Sequence, residues 1–185
     1  VRAYEQCVLC YKCVEACGDD AQRTYAIAVA GRGFEARIST ESDVTLPESA
    51  CVYCGNCIAV CPTNALQFTT EFDLRRMGDW RPDDQTVTRT VCSYCGVGCQ
   101  LYLHVKDNKV FKVTGVEDAS PNYGSLCVKG RFGHEFIHDP ARLKTPLIRE
   151  NGDFREASWD EALGLVAERL TKIKGESGPD SIMVL

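Results

Sequence analysis

The chain has 185 residues, 44% of them hydrophobic and 25% charged, with a formal charge of −5. These values suit a soluble globular protein of one or two domains. They argue against a nucleic-acid partner; no run is long and apolar enough for a transmembrane segment, and none reads as a signal peptide.

Residues 1–69 read as a first unit. Cys7, Cys10, Cys13 and Cys17 follow the pattern C-x2-C-x2-C-x3-C, and Cys51, Cys54, Cys57 and Cys61 repeat it 44 residues later, with Pro62 following. Between the repeats, Thr24–Val29 and Phe34–Ile38 flank Gly31-Arg32-Gly33, which reads as a hairpin with a glycine turn. Residues 70–88, polar and punctuated by Gly78 and Pro82, read as a linker.

A second unit is expected over 89–145. It opens with Cys92, Cys95 and Cys99 in C-S-Y-C-G-V-G-C, and Cys127 follows in L-C-V-K-G-R. Gln100–Val105 and Lys109–Val113 alternate as strands around Asp107-Asn108, a hairpin turn. Gly96, Gly98, Gly115, Gly124 and Gly130 would let backbone approach a cofactor closely.

The third unit, 146–185, starts after Thr145-Pro146. Ser158 with Glu161 is a capping-box pair. Ala162, Leu163, Val166, Leu170 and Ile173 then recur on one helical face, and Gly175 would end the helix after Lys172 and Lys174. Gly178-Pro179-Asp180 turns into Ser181–Leu185, which reads as a buried strand and the start of an α/β domain. With no initial Met and this unfinished strand, the chain reads as a fragment.

All twelve cysteines fall into three groups of four. Disulfide scaffolds are usually smaller and do not repeat tight C-x-x-C triplets, while structural zinc usually pairs two separated knuckles. Iron–sulfur clusters fit the two repeated groups better, and with them an electron-carrying role in a reducing compartment. Three four-iron (4Fe-4S) clusters on twelve thiolates would take the net charge to about −11. Taken alone, the third group also suits zinc.

The first unit resembles a two-cluster bacterial ferredoxin, in which the fourth cysteine of each run serves the other cluster. That resemblance implies one cluster on Cys7, Cys10, Cys13 and Cys61, and a second on Cys51, Cys54, Cys57 and Cys17. Gly18 stands where that family has proline after the fourth cysteine, and the repeats lie farther apart than in a minimal ferredoxin.

Residues 89–185 resemble the amino-terminal part of molybdopterin oxidoreductases through C-S-Y-C-G-V-G-C, G-S-L-C-V-K-G-R-F, T-P-L-I-R and S-W-D-E-A-L. With the ferredoxin-like unit, the whole chain resembles the front of the catalytic alpha subunit of cytoplasmic, NAD-dependent formate dehydrogenases. The fold implied is α+β: a two-cluster ferredoxin-like domain, a small β-rich 4Fe-4S domain, and a truncated start of an α/β domain. The resemblance implies a third cluster on Cys92, Cys95, Cys99 and Cys127. It implies that Lys129 relays electrons between that cluster and a pterin, where an ammonium can stabilise added negative charge; read from spacing alone, Lys129 is equally a solvated surface lysine. It further implies molybdenum or tungsten on two molybdopterin guanine dinucleotides, oxidation of formate to carbon dioxide or the reverse, and the metal ligand, catalytic histidine and arginine beyond residue 185. The implied partners are the remainder of the catalytic subunit and a flavin- and NAD-binding iron–sulfur diaphorase subunit.

Three alternatives stand beside it: a stand-alone multi-cluster ferredoxin, the large iron–sulfur subunit of respiratory NADH dehydrogenase, and an iron hydrogenase. The paired quartets disfavour the second, and the 92–129 segment does not resemble the active-site motifs of the third. Among weaker signals, His104 reads as a solvent-facing strand residue, and Trp80 and Trp159 as packing residues. His134 and His138, four apart, could share a helical face as metal ligands, but the glutamate-bearing motif such sites need is missing.

Overall fold

A computed structural model describes residues 2–183, which divide into two compact units between His138 and Asp139.

In the first unit, a short turn at Tyr4–Gln6 leads to helix α1, Lys12–Cys17. Strands β1, Ala28–Ala30, and β2, Arg37–Ser39, form the expected hairpin, with Val29 opposite Ile38. It is shorter than the sequence suggests, because Phe34 lies in a 3-10 turn at Gly33–Glu35 rather than in a strand. Helix α2, Asn56–Ala59, follows the second cysteine loop and packs against α1.

The segment read as a linker is structured. Helix α3 spans Thr69–Arg76, and strand β3, Thr86–Val91, begins inside it. Tertiary contacts override the polar composition. The Thr70 hydroxyl donates to Phe111 O at 2.6 Å. The Glu71 carboxylate, 5% exposed, accepts from Lys112 Nζ at 2.7 Å and from Arg75 Nη2 at 2.8 Å. Trp80 sets its ring edge-on to Phe111, centroids 5.5 Å apart, as expected of a packing residue.

Strands β4, Gln100–Lys106, and β5, Lys109–Gly115, confirm the second hairpin. Asp107 and Asn108 both take positive φ, 49° and 59°, the geometry of a type I′ turn. β3 adds to β4 as the outer strand of a three-stranded antiparallel sheet, in the order β3-β4-β5. Its apolar core is small: Leu101, Val113 and Leu126, with Cys92, Cys99, Leu103 and Val110 packed against it. Helix α4, Val128–Phe132, closes this part, and Phe132 meets Phe68 with centroids 5.7 Å apart.

His104 is not solvent-facing. It is half-buried, with Nδ1 3.0 Å from Gln85 Oε1 and Nε2 2.9 Å from Thr114 Oγ1, and burial pulls its pKa down to about 4. Gly115 and Gly124 also depart from expectation. A side chain on Gly115 would strike the Gly124 backbone, so these two glycines let chain meet chain rather than a cofactor.

The second unit begins at Asp139. Strands β6, Leu147–Glu150, and β7, Asp153–Glu156, form a hairpin around Asn151 and Gly152, both at positive φ. Helix α5 spans Trp159–Ser177, and the Ser158 Oγ accepts from the Glu161 N–H at 3.1 Å as expected of the cap. The helix runs through Gly175 and stops at Gly178, whose φ of 82° suits glycine. Glycine in a helix costs only about 1 kcal/mol, too little to end this one. Trp159 is exposed rather than packed. The expected terminal strand is a 3-10 turn at Pro179–Ser181 followed by two irregular residues, and Val184 and Leu185 lie outside the described residues.

Candidate metal centres

The two repeated cysteine motifs share one backbone. In the first loop Leu9 and Tyr11 take φ of 52° and 63°; at the matching positions of the second, Tyr53 and Gly55 take 55° and 70°. Left-handed residues on either side of the second cysteine curl each C-x2-C-x2-C segment inward. The third cysteine of each run, Cys13 and Cys57, then sits in the first turn of α1 and α2.

Where α1 packs on α2, a thiol of the second run stands beside the first run. Cys7, Cys10 and Cys13 line one cavity together with Cys61 from the other run, walled by Ile38 and Leu66. Cys54, in turn, lies within electrostatic reach of Cys17 and Cys51, and Cys57 of Cys54, Cys13, Cys17 and Cys51. In the third group, Cys92, Cys95 and Cys127 are the thiols whose charge acts on Cys99. Cys92 donates its N–H to Cys99 O at 2.8 Å, and Cys127 caps α4. All twelve thiols are unpaired by disulfides.

Burial acts against the thiolate form at several of these positions. Burial pushes Cys57 up to about 12, and pushes Cys13, Cys54 and Cys99 upward as well. A thiol in such a place ionises only against a cation, and coordination to a metal supplies one outright. Cys61 goes the other way: burial opposes ionisation, but the Leu66 N–H at 3.5 Å and the Thr63 backbone and hydroxyl stabilise its thiolate. The donor set is therefore sulfur throughout, with amide N–H groups aimed at it. Such a set fits an iron–sulfur group. Among the described residues no three His, Cys, Asp or Glu side chains converge on a single ion; the first group stands around a cavity rather than meeting at a point.

Lys129 is exposed on α4 and borders a cavity of about 230 Å³ with Cys92, Tyr94 and His134. His134 and His138 do not act as a pair. His138 Nε2 accepts the Val110 N–H at 2.9 Å, whereas His134 Nδ1 is buried without a hydrogen-bond partner.

Three residues that sequence reasoning passed over join the groups. Arg131, fully buried, donates from Nε to Cys54 O at 2.7 Å and from Nη2 to Asn56 Oδ1 at 2.9 Å. Asn56 Oδ1 also accepts the Leu126 N–H at 3.2 Å, and Gly55 leaves room for the arginine stem. The only sequence signal was Arg131 inside the G-R-F stretch, two residues after Lys129.

Residues 6–65 match the family described as 4Fe-4S dicluster domain, residues 85–139 the molybdopterin oxidoreductase Fe4S4 domain, and residues 142–185 molybdopterin oxidoreductase. The chain is 37% identical over 211 residues to "Probable oxidoreductase YjgC" of Bacillus subtilis. It is 35% identical over 210 residues to "Putative formate dehydrogenase SAR2393" of Staphylococcus aureus. Each alignment covers 96% of this chain and 21% of the relative, so the chain spans about a fifth of the length of these relatives.

Proposed function

We propose that this chain, an iron–sulfur electron-transfer segment of a molybdopterin oxidoreductase, serves a formate dehydrogenase as the relay between its metal site and a redox partner. The observation that carries the reading is the cavity that Cys61 lines together with Cys7, Cys10 and Cys13. Cys17 joins Cys51, Cys54 and Cys57 by the same crossing, and Cys92, Cys95, Cys99 and Cys127 make the third set. Each set would hold one 4Fe-4S cluster. Such a cluster supplies one-electron transfer without a proton.

The chain's own residues order the sets. Arg131 and Leu126, on either side of Cys127, hydrogen-bond the loop that carries Cys54 and Asn56. The second set therefore adjoins the third. On this reading the first set is the exit, with Cys10 exposed beside exposed Val8 and Tyr11. Lys129, two residues past Cys127 and free of ion pairs among the described residues, stands at the other end, where its ammonium can meet a pterin. Formate, the guanine dinucleotide form of the pterin, molybdenum or tungsten, a flavin- and NAD-binding diaphorase partner and a cytoplasmic location complete the proposal. Among the described residues no helix is long and apolar enough to cross a membrane.

Formate added to anaerobically purified holoenzyme should bleach the visible absorbance of the clusters. Bleaching by dithionite but not by formate would remove formate as the substrate while leaving the relay intact.

A further inference from the structure

A cation stands where the second and third cysteine groups meet, and no carboxylate among the described residues is ion-paired to it. Arg131 is 0% exposed. Its amide N–H reaches Cys127 O at 3.1 Å, while its guanidinium crosses to the other group, bonding Cys54 O and Asn56 Oδ1. The groups on which its charge acts are the Cys54 and Cys57 thiols. Nη1 is buried and has no hydrogen-bond partner. Even the backbone is shaped around it, since a side chain on Gly55 would fall on the arginine stem.

Burying a guanidinium with no carboxylate paired to it is costly unless other negative charge lies close by. Neutral thiols cannot supply that charge; thiolates bound to a metal cluster can. Four thiolates on a core of charge about 2+ carry a net charge of about 2−, and one-electron reduction deepens it by one unit.

We propose that Arg131 is the built-in counter-ion of the second cluster, raising its reduction potential and locking its Cys54 loop against α4. The proposal rests on the cluster reading above. Arg131 touches the ligand loop rather than the reacting atoms, so it is a positioning and electrostatic residue. Its fixed charge favours an electron on the Cys51–Cys57 set over an electron on the neighbouring sets, and its fork holds the two loops in register.

The test is a potentiometric titration of anaerobically purified holoprotein followed by electron paramagnetic resonance, with Cys54→Ser marking the second cluster's signal. Arg131→Gln should leave the iron content unchanged and shift that cluster's reduction equilibrium about tenfold toward the oxidised form, 59 mV for a one-electron couple. The other two midpoints should stay within about twofold. Arg131→Lys keeps the charge and should restore most of the shift. Asn56→Asp keeps both acceptor roles, so it should fold even if Arg131→Gln does not, and its added negative charge should move the same midpoint downward. An unmoved midpoint in both Arg131→Gln and Asn56→Asp would overturn the proposal. So would an Arg131→Lys midpoint as low as that of Arg131→Gln, which would mark a packing role. If the unmodified protein holds no clusters, the functional reading itself fails; unmoved midpoints in a three-cluster protein sink only the role of Arg131.

Discussion

Two residues show how the surroundings decide what a side chain does. Cys61 belongs to the second motif in sequence but to the first cavity in space, with amide N–H groups holding its thiolate down in pKa. Cys61→Ala should therefore remove the first cluster's resonance and leave the second, which uses Cys17; loss of the second alone would refute the exchange. His104 carries a pH dependence. Burial lowers its folded pKa to about 4 against an unfolded value of about 6.5. Between those values the unfolded chain binds the extra proton, so the stability His104 contributes is complete above about pH 6.5 and declines as pH falls toward 4. Thermal unfolding at pH 7.5 and 5.5 should show a smaller acid loss in His104→Gln than in the unmodified protein. Equal losses would mean that His104 is not buried neutral.

At the scale of elements, the hairpins and the capped helix were legible because their signals are local. Asp107-Asn108 and Ser158 with Glu161 state their turn and cap directly. Asn151-Gly152 states a hairpin just as directly and was passed over. Helix α3 was not legible, because its buried face is charged: Glu71 is interior only through Lys112 and Arg75, and Lys112 lies 41 residues away. The cysteine loops were legible in spacing but not in conformation. Their comparison also explains a glycine. Tyr11 takes a φ of 63° in the first loop, so the backbone at Gly55, 70°, disfavours a side chain without forbidding one; what excludes it is Arg131, which occupies the space a side chain would take. Gly55→Ala should then lower stability by more than the ~1 kcal/mol of a strained backbone position and weaken the second cluster's retention of iron. A Gly55→Ala protein with unchanged midpoint of unfolding and full iron would contradict that packing.

For the whole molecule, the cysteine groups and the small sheet belong to one unit, residues 2–138, whose buried apolar residues are small in total, five of those described being alanines, with Leu101, Val113 and Leu126 clustered against Cys92 and Cys99. A core that small leaves bound groups to supply much of the stability. Iron removal by a chelator under reducing conditions should unfold this unit, seen as loss of cooperative thermal unfolding. Since all twelve cysteines precede Asp139, deleting residues 139–185 should leave the iron content per chain unchanged, and a fall by a third or more would place part of a ligand set outside the first unit. The place of Cys61 beside Cys7, Cys10 and Cys13 goes with the packing of α1 on α2. The contact of the second group with the third had no counterpart in sequence, because it runs through Arg131 and Asn56, 75 residues apart.

The most direct measurement is iron, acid-labile sulfide and zinc on the anaerobically purified protein, with an electron paramagnetic resonance spectrum after reduction. About 12 iron and 12 sulfide per copy of this segment, with interacting four-iron signals, are expected of three clusters. Zinc without sulfide would contradict the relay and everything built on it.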